Sequence, residues 1–361
     1  MLQKLTKVYA NHGIPLECDI YTPAESAADS PVFLFFHAGA LTGWGRDCVP
    51  PWLVQVRVNN DEKTVFAMYW WLLPGANLGN GWQTCYKQKW PLISVSYRLM
   101  PQTGTEGLKE DSTAAYAFAQ SWNTPRDKER RVIVGGASAG FFLATFVAST
   151  ASPAPLALFS IAGISSFTHA FYSSSTLITP EPSPPASALQ AAMSGPCVVG
   201  RSIPGGHEGA ASFRVEALGE DGSRDPGFRS TAPVDTRTEE ERTLWDQRSK
   251  LYVYYIYENL WPGMTAAMDV AREWQEWTAE RKAKWPPTVI FHGNSDNGVP
   301  LGVSEEMRRV LGEDKVCLFI ASGEDHLFER AMFLEDDAPG MVAVRDAVAR
   351  LVEIVTERRG F

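Results

Sequence analysis

The sequence predicts an α/β fold with a mainly parallel central sheet, and three observations carry that expectation. Short, uninterrupted apolar runs alternate with stretches of helical period along the chain. Such runs are what strands need when helices cover both faces of a sheet. The run Val132-Ile133-Val134-Gly135-Gly136-Ala137-Ser138-Ala139-Gly140 drives a β-rich stretch through Gly-x-Ser-x-Gly into a helix-prone one. Near the other end, Val344, Val348, Leu351 and Val355 share one helical face.

Taken in order, strands are expected over 16–21, 32–37, 92–97, 131–135, 156–161, 288–292 and 316–320, and helices over 109–122, 139–150 and 341–357. Strands that alternate with helices wind into a parallel sheet. No internal repeat is visible. A chain of 361 residues suits one large domain, or one domain carrying an inserted cap. Its 45% hydrophobic content is ample for a sizeable core.

A net charge of -9 argues against a nucleic-acid partner, and no basic run suggests an anionic membrane surface. Cys18, Cys48, Cys85, Cys197 and Cys317 are scattered, with no Cys-x-x-Cys spacing. They read as reduced thiols, neither a disulfide frame nor a zinc site. The first residues show no apolar core of a secretory signal, and no apolar stretch is long enough to span a bilayer. The expectation is a cytoplasmic protein.

Two regions interrupt the strand–helix alternation. Over 177–240 the chain is rich in Pro, Gly, Ser and charge without sustained period, and aromatic residues follow it, among them Tyr252, Trp261, Trp274 and Trp277. The division expected is a core over 1–166, a cap and irregular insertion over 167–285, and the rest of the core over 286–361. For any one of those aromatics, packing the cap's own interior is the simpler role. The second interruption, 56–83, falls where a short helical crossover would suffice. Val56-Arg57 can be encoded with an intron donor, Ala76-Asn77 with a branch-point string and Gln83 with a terminal CAG, and removing the segment keeps the frame. It reads either as a retained intron, which sequencing the transcript decides, or as a genuine lid bearing Tyr69, Trp70 and Trp71.

Four pieces carry chemistry. Ser138 sits on a strand-to-helix turn whose flanking glycines let it close, with a helix N-terminus behind it to favour negative charge. Beyond the strand at 288–292 comes Gly293-Asn294-Ser295-Asp296, an acid. Beyond the strand at 316–320 comes Gly323-Glu324-Asp325-His326, a histidine. The order Ser, Asp, His at strand carboxyl ends is the one expected for a hydrolytic triad on an open sheet. The fourth piece, His37-Ala38-Gly39-Ala40, follows an early strand.

These motifs resemble the hormone-sensitive-lipase-like, or fold-3, branch of the α/β-hydrolases. The family's His-Gly-Gly-Gly loop appears as His37-Ala38-Gly39-Ala40, its Tyr-Arg-Leu-x-Pro run as Tyr97-Arg98-Leu99-Met100-Pro101, and its nucleophile motif as Gly136-Ala137-Ser138-Ala139-Gly140. Its acid loop appears as His292-Gly293-Asn294-Ser295-Asp296 and its histidine loop as 323–328. The resemblance implies an α/β-hydrolase fold with about eight strands, helices on both faces and an inserted cap. It implies Ser138 as nucleophile, His326 as base, Asp296 as the group that orients the imidazole, and the N–H groups of Gly39, Ala40 and Ala139 as oxyanion donors. Ala38 and Ala40 stand where the family has glycine, which narrows the loop's access to positive φ and implies a tighter pocket.

Other candidates have blander expectations. Glu324 and Asp325 read as solvated loop charges, and His37 and His292 as histidines bonding their own loops. Gly205-Gly206-His207-Glu208-Gly209 lacks the ligands of a metal site. His12 and His169 carry no partner signal, Arg98 braces the sheet, and Glu273, Glu276 and Glu280 form a solvated helix face. The function expected is a cofactor-free serine hydrolase of small to medium apolar carboxylic esters. An acyltransferase, lactonase or thioesterase would use the same triad, and a receptor would have lost it. The sequence assigns no oligomeric state.

Overall fold

The computed structural model describes residues 2–23, 26–54, 85, 88–125, 128–175, 178, 182–201, 237–330, 332, 334 and 336–359. The expectations for 56–83 and for His207 lie outside these residues. Eight strands form one sheet in the order β1-β2-β4-β3-β5-β6-β7-β8. They are β1 Leu2–Asn11, β2 Pro15–Pro23, β3 Val32–Phe36, β4 Leu92–Val95, β5 Val132–Ala137, β6 Leu158–Ile161, β7 Thr288–Gly293 and β8 Val316–Ala321. β2 runs antiparallel to both β1 and β4; the other pairings are parallel.

Both faces are covered, which is why β3 to β7 are continuous apolar runs. Val32, Leu34 and Phe36 point into one core with Val132, Val134 and Leu158, while Phe33 and Phe35 point into the other with Ile133, Phe159, Val289 and Phe291. Helices α1 (Gly104–Ser121) and α2 (Gly140–Thr150) bring Leu108, Ala115, Phe142 and Val147 to the first core. Helix α5 (Met341–Arg359) brings Val344, Val348, Leu351 and Val355 to the second, the stripe expected of it. Between α2 and β7 lies α3 (Glu239–Tyr257), and α4 (Leu301–Leu311) packs Val303 and Met307 into the first core.

Several expectations need correction. β1 was not foreseen: Gln3, Lys4, Thr6 and Lys7 break its apolar pattern, and as an edge strand it leaves Leu5 and Val8 about half exposed. α1 begins at Gly104, ahead of the expected 109, because Gly107 is accommodated where a Cβ would meet Thr103 Oγ1. α3 overlaps the stretch expected to be irregular only at 239 and 240, and it starts on a capping box in which Thr238 and Glu241 satisfy each other's backbone N–H groups. Glu273, Glu276 and Glu280 are exposed but do not share a helix; a 3-10 turn over Val270–Glu273 and a short helix over Ala279–Ala283 separate them. His12 does have partners: Nδ1 lies 2.8 Å from Asp111 Oδ1 and 3.3 Å from Arg98 Nη2. Arg98 also donates from Nε to both Asp111 oxygens and from Nη2 to Gly107 O, so it ties the end of β4 to α1. The five cysteines are free. Among the described residues no helix is long and apolar enough to cross a membrane, and no three His, Cys, Asp or Glu side chains are gathered to hold a metal ion.

Candidate active site

Ser138 follows β5 directly and has φ +49°, a left-handed conformation that an L side chain adopts only when its surroundings enforce it. Its N–H donates to Ile161 O on β6, and its carbonyl accepts from Phe141 N and Ile164 N. The flanking glycines are required by close approach. A Cβ on Gly136 would overlap the backbone of Gly140, and one on Gly140 would overlap the carbonyl oxygen of Phe36. The turn therefore packs directly against the end of β3.

The loops after β7 and β8 meet this turn. His326 Nε2 lies 3.1 Å from Ser138 Oγ, and His326 Nδ1 lies 2.7 Å from Asp296 Oδ2. With the Nδ1 proton donated to the carboxylate, Nε2 is left to accept from the serine hydroxyl. Asp296 Oδ1 accepts from the N–H groups of Gly298 and Val299 at 2.8 and 2.7 Å. Burial works against its charge, but hydrogen bonds from His292, His326 and the Val299 N–H outweigh it and hold the carboxyl at about 2. Sequence reasoning gave His292 only a bond to its own loop. Its Nε2 does reach Val299 O at 2.8 Å, yet it also lies 3.2 Å from Asp296 Oδ2, while Nδ1 faces Ser304 Oγ. The signal available was its position four residues before the acid.

The loop after β3 turns through Gly39, Ala40 and Leu41 at φ +108°, +55° and +61°. Alanine at position 40 thus accepts the conformation that its side chain was expected to restrict. Thr42 and Gly43 donate their N–H groups to Gly39 O. Among the described residues, no acceptor takes the N–H of Gly39, Ala40 or Ala139. Tyr97 holds the loop from below, its hydroxyl donating to His37 O at 3.0 Å and its ring stacked on the His37 imidazole at 4.2 Å. His37 is buried, which pushes its imidazole down to about 4, and Nδ1 bonds Ala38 O. Asp325 is exposed and caps the N–H groups of Asn297 and His326, so it supports the histidine loop without facing the imidazole as an acid. Glu329 was not anticipated. It is 1% exposed, Oε2 has no partner, and burial raises its carboxyl to about 8.

Ser138 and His326 open on a cavity of ≈ 570 Å³ walled by Trp44, Ile178, Trp245, Tyr252 and Leu327. Trp261, Trp274 and Trp277 do not reach it: Trp261 stacks on Phe167, and Trp274 and Trp277 cluster with Trp285. One face of α3, bearing Arg242, Trp245, Asp246, Ser249 and Tyr252, lines the cavity at spacings of three and four residues. The capping box at Thr238 is the sequence signal that would have set that phase.

No protein-family model matches the chain, and no curated protein matches its sequence. Solved structures do. A protein of unknown function from Staphylococcus aureus is 18% identical, covers 98% of this chain and 99% of its own, and superposes with a TM-score of 0.60. An α/β-hydrolase superfamily protein from Enterococcus faecalis is 13% identical over 97% of this chain and 98% of its own, at 0.59. A thermostable esterase from Pseudomonas putida is 15% identical over 98% and 83%, at 0.50. The chain has the α/β-hydrolase fold.

Proposed function

We propose that this protein is a serine hydrolase of carboxylic esters with small to medium apolar bodies, working through an acyl-enzyme. The observation that carries the reading is the unbroken contact from Ser138 Oγ to His326 Nε2 and from His326 Nδ1 to Asp296, set on a left-handed serine turn. In this reading His326 takes the Ser138 proton as Oγ attacks the acyl carbonyl, and Asp296 stabilises the imidazolium. The N–H groups of Gly39, Ala40 and Ala139 receive the oxyanion, each worth about 3 kcal/mol of transition-state stabilisation. The imidazolium then protonates the leaving alcohol, and water, deprotonated by the same histidine, releases the acid. No step calls for a cofactor. A receptor that had lost catalysis is disfavoured because all three side chains are present and in contact.

The test is labelling by a fluorophosphonate probe together with a series of p-nitrophenyl esters. Wild type should label and turn over short and medium esters, and Ser138→Ala should do neither. Labelling that survives in Ser138→Ala, or a preference for long acyl chains, would count against the reading.

A further inference from the structure

The walls of the cavity are not uniformly apolar. In a chain of net charge -9, the described residues that line the cavity include four arginines, Arg237, Arg242, Arg248 and Arg330, the first two with partners of their own, and one acid, Asp246, whose Oδ2 is taken by Lys250 at 2.7 Å. Arg248 is fully buried. Its guanidinium donates to Thr42 O at 3.2 Å, Met100 O at 3.0 Å and Gln102 Oε1 at 2.7 Å, all neutral, and among the described residues no carboxylate pairs with it. Its charge is therefore spread into the cavity uncancelled, in surroundings of low dielectric where fields are focused. Arg330 is half-buried, lies four residues beyond His326 on the same loop, and among the described residues its side chain makes no hydrogen bond or ion pair. A purely apolar ester would strip water from such groups with nothing in return.

We propose that the cavity takes esters bearing a second, ionised carboxyl group, which Arg330 engages directly while the buried Arg248 holds the cavity positive. The proposal rests on the ester-hydrolase reading and narrows its substrate class. The apolar walls Trp44, Trp245 and Tyr252 receive the body between the scissile bond and the distal carboxylate.

The probe substrates are p-nitrophenyl hydrogen glutarate and its neutral methyl ester. Wild type should favour the anion in kcat/KM by about tenfold at low salt, the scale of a hydrogen bond to a charged group, and added salt should shrink the ratio. Arg330→Gln should lower the ratio about tenfold and Arg330→Lys should keep most of it. Glutarate should also protect Ser138 from the fluorophosphonate better than dimethyl glutarate does. A ratio at or below one in wild type, or equal protection by the two glutarates, overturns the proposal while leaving ester hydrolysis intact. A chain that neither labels nor cleaves overturns the hydrolase reading instead. In that case a thermal shift with glutarate that Arg330→Gln abolishes supports anion binding, and its absence overturns that too.

A second inference rests on other atoms. The Cys85 N–H donates to Leu53 O at 3.3 Å, although 56–83 lies between them in the chain. Counted without that segment, Cys85 follows Leu53 by four positions, the partner an α-helix uses. Trp52 and Leu53 are buried, with Trp52 edge-on to Phe159 and Phe291, and Cys85 is buried beside them. We infer that 56–83 interrupts one crossover helix whose register is continuous without it, so the fold does not need the segment. A variant joining Gln55 to Thr84 should fold with an unchanged or higher Tm and retain fluorophosphonate labelling. Aggregation, or a Tm lower by more than a few degrees, overturns the inference.

Discussion

The two walls of the cavity are built on different principles. The wall formed by β5, β7 and β8 is made of backbone turns and buried hydrogen bonds. Ser138 is held at positive φ, and Asp296 is gripped by two N–H groups and two imidazoles. The other part of the lining, from α3 together with Arg330 at the far end of the His326 loop, presents long charged side chains. Rigid backbone suits bond-making, where an ångström matters. Long side chains on a helix face suit selection, because they can change without moving the turn.

That contrast can be broken experimentally, and the largest effect belongs to the backbone wall. Asp296→Asn should lower kcat by roughly 10³- to 10⁴-fold with little change in KM, since the imidazole loses its orienting charge. A rise in KM with kcat unchanged would show instead that Asp296 serves binding. Next comes Glu329. Its folded pKa of about 8 lies above the ordinary 4.5, so the stability it permits is full below pH 4.5 and is lost as pH rises toward 8. Glu329→Gln should therefore gain of the order of 4 kcal/mol over wild type at pH 8 and nothing at pH 4, read by urea denaturation. Asp296 has the opposite sign. Its contribution of about 2 kcal/mol is present above pH 3.8 and lost as pH falls through about 2, so wild type and Asp296→Asn should converge in stability there.

On the arginine wall, Arg248→Met should lower kcat about tenfold for neutral esters, because Thr42 O loses its brace on the loop that carries Gly39 and Ala40, and should lower the anion-to-neutral ratio in kcat/KM as well, because the cavity loses a positive charge. An unchanged kcat would separate that wall from the loop of Gly39 and Ala40 altogether. The smallest effect is Ala40→Gly. Relief of the left-handed strain is offset by glycine's backbone entropy, leaving a change in stability within about 1 kcal/mol. A large loss would mean that the Ala40 methyl packs where it was thought only to be tolerated.

The strands of the covered sheet and the three loops that bear Ser138, Asp296 and His326 were legible in the sequence. From β3 to β7 the strands are largely apolar runs, and local pattern suffices to find them. β1 was not legible, because an edge strand needs no apolar run. The pairing of His12 with Arg98 and Asp111 spans the chain and leaves no local trace. The arginine wall stayed hidden for a different reason. Arg242 and Arg248 acquire a direction only once α3 has a start and a phase, and Arg330 only once its loop is folded. Trp261, Trp274 and Trp277 pack an interior of their own, the simpler role expected of each.

β6 and β7 are hydrogen-bonded neighbours, Ile161 opposite Phe291, although the whole of α3 lies between them in the chain. The polypeptide leaves the sheet and rejoins it at adjacent positions, so the ladder imposes no length on what is strung between. A descendant could exchange that excursion wholesale and keep its reaction while changing its diet. Grafting the stretch onto another member of the fold should carry the taste for anions with it, except for the share vested in Arg330.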